Sequence, residues 1–294
     1  MPSAYVHQIL NHYTSPQALD PGFLVLDNRS NERPDWYEYW PIRRFLKQER
    51  LEESAFYGFL SPKFELKTNL DSAAVRRFVE SVGAEVDVIL LSPSIHNTAH
   101  HWNVFDHGDA EHPGLKAVAT DLFERIGQPT DLDALVTDSR NTVNSNFFLA
   151  KPRFWRAWLE VNERLYAIAE DPADPLGERL RTPVPYRGRR DVQMKIFVME
   201  RIATWLLARG GFVARARDPF AAGARVYKLP VAVICDALKI AYTQERRGQY
   251  RTVFAMMRGL RKLANLQIRV GDALGLPRVR PFLRSLGAYW SGAE

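Results

Sequence analysis

The chain has 294 residues, of which 46% are hydrophobic, 12% aromatic and 25% charged, a composition that folds around a core and excludes disordered or collagen-like chains. A single cysteine, Cys235, excludes an intramolecular disulfide framework and any cysteine-based metal site, and points to a reducing cytosol. The net charge of +6 is uneven, because residues 243–294 carry ten basic and three acidic side chains, leaving −1 for residues 1–242. This asymmetry points to a polyanionic partner for the tail, either nucleic acid or an anionic membrane surface. No run of about 18 apolar residues is present, so no membrane-spanning helix is expected.

In chain order, Tyr5–Leu10 alternates as an opening strand and Phe23–Leu26 is a second short strand, ending in Asp27-Asn28. Pro41–Leu46 has helical spacing, and Ala55–Leu60 is a strand running into Ser61-Pro62-Lys63. Asp71 or Ser72 caps a helix with Val75, Phe78, Val79 and Val82 on one face, and Val86–Leu91 is a buried strand. Helix 114–126 follows, then Asn146–Leu149 and a long amphipathic helix through Trp155, Trp158, Leu165 and Ile168. Residues 171–191, rich in Pro, Gly and Arg, read as a loop, and Lys195–Arg209 reads as one helix. Beyond residue 229 the pattern is helical, with Val253, Met256, Met257, Leu260, Leu263 and Ala264 on one stripe. Alternating elements predict an α/β fold with a mostly parallel sheet flanked by helices, over residues 1–228, and a basic helical annex over residues 229–294.

Walker, Gly-x-Gly-x-x-Gly and Gly-x-Ser-x-Gly signatures are all missing. Polar clusters lie instead at predicted strand ends, where open α/β sheets bind ligands: Asp27-Asn28, Ser61 to Lys63, Ser92 to Asn97, and Asp138 to Asn141. Five of the seven histidines fall between His96 and His112, alongside Asp106, Asp109 and Glu111. No pair has a His-Glu-x-x-His register, and His107 to Gly114 reads as a turn-rich loop for donor or acceptor, with a metal-dependent hydrolase as the alternative. Asp131-Leu-Asp133 has a metal-binding spelling but reads as a turn or N-cap.

The succession Trp40-Pro-Ile-Arg-Arg-Phe-Leu46, Tyr57 to Phe64, Asn144-x-Asn146-Phe147 followed by Phe154 and Trp158, and Met199-Glu-Arg-Ile202 resembles a group of bacterial polysaccharide glycosyltransferases with a GT-A-like fold. The relatives read Gly-x-x-His-Tyr-Arg-Arg where this chain has Gly58-Phe-Leu-Ser-Pro-Lys63. The resemblance implies transfer of a sugar from a nucleotide-activated donor to a glycan or lipid-linked glycan acceptor, in the cytoplasm and peripherally on the inner face of the membrane. In such an enzyme the strand-end clusters and basic residues offer donor contacts from Asp27, Asn28, Ser61, Lys63, Arg140 and Arg201, and the histidine loop offers acceptor contacts from His96, Asn97, Asn103, His107 and His112. Glu200 interrupts an apolar helical stripe as a carboxylate base would, and Asp138 and Asp109 compete for that role. The strand running into Ser61 delivers Lys63, a cation able to neutralise the departing diphosphate, so no metal cofactor is assigned, although a divalent metal is the usual device in such enzymes. The alternative of a nucleic-acid-binding protein rests on the basic tail, which lacks the interleaved aromatic residues of a single-strand platform.

Overall fold

The computed structural model describes residues 3–92, 98–186, 189–218 and 230–259. Its strands are β1 (Ala4–Asn11), β2 (Leu24–Asn28), β3 (Phe56–Leu60), β4 (Val88–Leu90), β5 (Phe148–Ala150), β6 (Pro183–Tyr186), β7 (Arg189–Gln193) and β8 (Ala214–Ala216). The helices are α1 (Tyr39–Gln48), α2 (Phe64–Thr68), α3 (Ser72–Glu80), α4 (Val104–Glu111), α5 (Leu115–Arg125), α6 (Pro152–Glu170), α7 (Pro175–Arg181), α8 (Met194–Met199), α9 (Ile202–Ala208) and α10 (Pro230–Glu245). Six strands form one sheet in the order β2-β1-β3-β5-β4-β8, and β6 and β7 pair as a separate hairpin. Within the six, only β5 runs antiparallel to its neighbours.

Side chains that alternate along a strand are sorted to opposite faces of the sheet. Tyr57 and Phe59 of β3, Val88 and Leu90 of β4, and Phe148 and Ala150 of β5 join the larger core, made with α1, α5, α6, α8 and α9. Phe56 and Leu60, Ile89 and Leu149 face the other way, into a smaller core closed by Val75 and Val79 of α3. A Cβ on Gly58 would lie 2.8 Å from Leu149 Cγ, so the cross-strand position beside Leu149 has room for no side chain. Asp71 caps α3 by accepting from Ala74 N at 2.7 Å, as its spacing predicts.

Three segments depart from the sequence reading. Residues 171–191 hold α7 and most of the β6/β7 hairpin, because Asp174 accepts from Leu176 N at 2.8 Å and Pro175 occupies the first helical position. The stretch read as a turn around His107 is α4, started by Asn103, whose Oδ1 accepts from Phe105 N and Asp106 N, both at 2.9 Å. The helix expected over Lys195–Arg209 is two, α8 and α9, joined through Glu200 and Arg201.

The annex packs onto the body where it is described. Cys235 of α10 and Phe254, in the helical residues 248–259, bury against Trp102 and Val136. Asp236 accepts from Ser139 N at 2.9 Å, and buried Lys239 donates to the His101 carbonyl at 3.1 Å. Among the described residues 248–259 Phe254 is buried, whereas Val253 and Met256, expected on the apolar stripe, face solvent. Leu260, Leu263, Ala264 and the remaining basic tail lie outside the described residues.

Candidate functional site

The carboxyl edge of the sheet gathers the ends of β1, β2, β3, β4 and β8 and the start of β5. From β1 the chain passes to β2 on one side, while from β3 it continues to β4 on the other, so a topological switch point lies between β1 and β3. Ligands of open α/β sheets bind in the crevice at such a point. Asn11 ends β1 and Asn28 ends β2, and Asn28 Nδ2 donates to Asn11 Oδ1 at 2.9 Å. Gln8 Nε2 reaches the Ser61 carbonyl at 3.5 Å, tying β1 to the residue that leaves β3. Three buried oxygens from three different strand ends have no protein partner: Asn28 Oδ1, Ser61 Oγ and Asn146 Oδ1. Buried polar atoms are almost always satisfied, and each orphan costs about 1–3 kcal/mol. Three on one sheet edge make it a candidate surface for a polar ligand.

The backbone of this edge is strained. Tyr37 sits at φ 47° and ψ −130°, and the consecutive Ser145 and Asn146 sit at φ 58° and 53°. Non-glycine residues in that region cost on the order of 1–3 kcal/mol and cluster at functional sites.

Tyr37 presents Glu38, the residue before α1. Glu38 is half-buried, and its carboxyl is pushed up to about 7 by burial and by the neighbouring Glu200 charge, with Lys67 pulling the other way. Lys67 leaves α2 to approach Ser145 Oγ at 3.3 Å and lies 5.3 Å from the centre of the Phe147 ring. Two carboxylates and a lysine, from three segments distant in sequence, thus share one electrostatic environment. Glu200 was legible in the sequence as an acid interrupting an apolar stripe. Glu38 and Lys67 were missed: Glu38 is a carboxylate set between Trp36, Tyr37, Tyr39 and Trp40, a signal that could have marked it, whereas Lys67 sits in an ordinary polar context, and only the fold brings them together.

The other expected site residues separate into two groups. Asn28, Ser61 and Lys63 lie at the carboxyl edge; Lys63 is exposed at the start of α2, one turn before Lys67. Asp27 is at the same edge but exposed, and its carboxylate, held down at about 2 by Arg29, is committed to that ion pair. The second group is engaged elsewhere. Arg201 is a staple between helices, donating to the Val104 carbonyl at 2.9 Å and to that of Phe197. A Cβ on Gly108 would meet its Nε at 2.5 Å, so this glycine serves packing rather than a turn. Asp138 is buried and held by Arg140 in a two-pronged pair at 2.9 and 2.8 Å, and Arg140 also donates to Thr243 Oγ1 at 2.6 Å. Asp109 accepts from Gly114 N and Lys116 N at 3.0 and 3.1 Å, starting α5. The acid pair Asp131-Leu-Asp133 is a local cap, with Asp131 accepting from Asp133 N at 2.9 Å. Asp87 stands at the opposite sheet edge, bound to Arg153 at 3.1 Å.

Among the described histidines of this segment, His101 and His107 meet while His112 is engaged with Phe197. The His107 ring packs 5.2 Å from that of His101. His112 is stacked on Phe197 at 3.7 Å, where burial, and after it the Arg201 charge, lowers its pKa. Asn103 is fully buried, and besides capping α4 it donates to the Leu132 and Leu135 carbonyls at 2.7 and 3.0 Å. His96 and Asn97 lie outside the described residues. Among the described residues no group of three or more His, Cys, Asp or Glu is arranged to hold a metal.

Replacing Asn103 by Ala removes the cap and leaves one buried and one half-buried carbonyl without this donor, for an expected loss of about 2–3 kcal/mol. Calorimetry should show a melting point lower by several degrees; a melting point equal to that of the wild-type chain would return Asn103 to the site.

No family model, curated protein or solved structure matches this chain.

Proposed function

We propose that the chain is a glycosyltransferase that moves a sugar from a nucleotide-activated donor to a hydroxyl of a glycan, as its resemblance to bacterial polysaccharide glycosyltransferases implies. The observation that carries this reading is the β1/β3 switch point, with orphaned polar atoms at the strand ends of that sheet edge and Glu38, Glu200 and Lys67 in one electrostatic neighbourhood. In this reading Asn11 and Asn28 meet the nucleoside, and Ser61, Lys63 and Lys67 meet the diphosphate, lysine acting as a point charge on phosphate. Glu38 takes the proton of the attacking hydroxyl. A base poised near neutrality is both ionised often enough and basic enough to do so. The neighbouring Glu200 charge helps to set that poise, a division of roles found in paired carboxylates. The mostly parallel sheet flanked by helices is compatible with a GT-A-like body. A lipid-linked acceptor and peripheral attachment to an anionic membrane complete the proposal; no helix among the described residues is long and apolar enough to cross a membrane.

Calorimetric titration with UDP, GDP, CDP and dTDP is the direct test. One of them should bind; at a hundredfold excess over its Kd it stabilises the fold by about 2.7 kcal/mol. Lys67→Ala should weaken that diphosphate at least tenfold, with the melting point unchanged, since Lys67 is exposed. Failure of all four to bind overturns the reading.

A further inference from the structure

Beside the candidate site, Arg33, Asp35, Glu170 and Lys195 form a closed and formally neutral network. Lys195 of α8 is 1% exposed, and its Nζ lies 2.7 Å from Asp35 Oδ2, 4.0 Å from Glu170 Oε1 and 4.0 Å from the centre of the Trp36 ring. Arg33 holds both oxygens of Asp35 at 2.9 Å and Glu170 at 2.7 Å, and Trp36 Nε1 donates to Glu170 at 2.9 Å. Buried charges persist only in well-satisfied arrangements of this kind, and such arrangements fix geometry more than they add stability.

What the network joins matters more than what it contributes to the fold. Asp35 lies three residues before Glu38, and Lys195 five residues before Glu200. The Lys195–Asp35 pair therefore bridges the two segments that carry the two carboxylates, with strained Tyr37 between the bridge and Glu38. We propose that Lys195 is a positioning residue: acting through Asp35, it holds the segment bearing Glu38 against Glu200. The proposal rests on the transferase reading for its purpose, but not for its test.

The sign of the effect separates positioning from simple electrostatics. The charges that act on Glu38 are Glu200 and Lys67. Deleting a nearby cation would by itself raise a carboxyl pKa, whereas a loosened segment gains water and distance from Glu200, which lowers it. Lys195→Met keeps the side-chain length and leaves Asp35 paired with Arg33, so no buried acid is orphaned. The measurement is the titration of the Glu38 carboxyl carbon by NMR, its resonance identified by its disappearance in Glu38→Gln. In the wild-type chain the midpoint is expected near the raised value. In Lys195→Met it should fall by at least one pH unit, a tenfold change in proton affinity, and in Lys195→Arg it should stay. A midpoint unchanged or raised in Lys195→Met overturns the positioning role while leaving Glu38 as base. A wild-type midpoint already in the ordinary carboxylate range overturns both. Should Lys195→Met not fold, Asp35→Asn breaks the same bridge from the other side and is read by the same midpoint.

Discussion

Glu38→Gln is expected to lower kcat by about two to four orders of magnitude, the usual contribution of a positioned acid–base group, while donor affinity changes little. The wild-type kcat/KM should rise about tenfold per pH unit on the acid side of 7 and level off above it, since the base must be ionised to accept the proton. In the variant this limb should vanish along with the activity. Stability should move in the opposite direction. A carboxyl whose folded pKa lies above its unfolded value favours the fold while protonated, and that contribution is lost as pH climbs from the unfolded value through about 7. At pH 8 the wild-type chain therefore carries the full cost of an ionised, poorly solvated Glu38. With about 1.4 kcal/mol per pKa unit, partly relieved by residual solvent, Glu38→Gln should be more stable there by on the order of 1–2 kcal/mol. Thermal melts of both proteins at pH 5 and pH 8 check this: the gap should open only at the higher pH. An active Glu38→Gln variant would eliminate Glu38 as the base and return that role to Glu200.

Trp155→Ala should be the most damaging single change to the fold. Trp155 lies on α6 against the middle of the sheet, its ring stacked on Phe148 at 4.7 Å and edge-on to Phe59 and Trp158 at 5.0 and 5.3 Å. Its Nε1 donates to the Tyr57 carbonyl at 3.0 Å, on the strand that delivers Ser61. Truncation removes the ring, leaves a cavity and orphans a buried carbonyl, for an expected loss of about 3–5 kcal/mol. Set against a total of about 5–15 kcal/mol, this takes most of the stability of an ordinary domain. Chemical denaturation should give a sharply lower midpoint with the slope retained. Trp155→Phe, which keeps an aromatic filler but not the hydrogen bond, should fall between the two.

How far the sequence reveals this molecule depends on the range of the interactions involved. The strands at Tyr5, Phe23, Ala55 and Val86, and the helices at residues 72, 115 and 152, are visible because burial leaves a local period in the chain. The β6/β7 hairpin and α7 are hidden because Pro175 and Gly177 read as loop formers, while in the structure one starts a helix and the other lets it approach the Ile168 carbonyl, where a Cβ would stand 2.2 Å away. The site behaves in the same way. Asn28, Ser61 and Lys63 are legible because they follow strands, and Glu200 because it breaks a stripe. Arg201 and Asn103 carry the residue types of a site but meet backbone carbonyls distant in sequence, and Asp138 is taken by Arg140 two residues on. Glu38 and Lys67 acquire meaning only when α1, α2 and the α8/α9 junction arrive at the same edge.

The seating of α10 bears on how this protein can be taken apart or recombined. Lys239 reaches into the body to hold the His101 carbonyl, Asp236 accepts from Ser139 N, and Trp102 is covered by Phe254 at 5.0 Å. A chain cut near residue 229 leaves these buried groups facing water, and a tail borrowed from another protein brings neither lysine nor aspartate to meet them. Residues 230–259 are thus not an exchangeable module but the closing piece of the body.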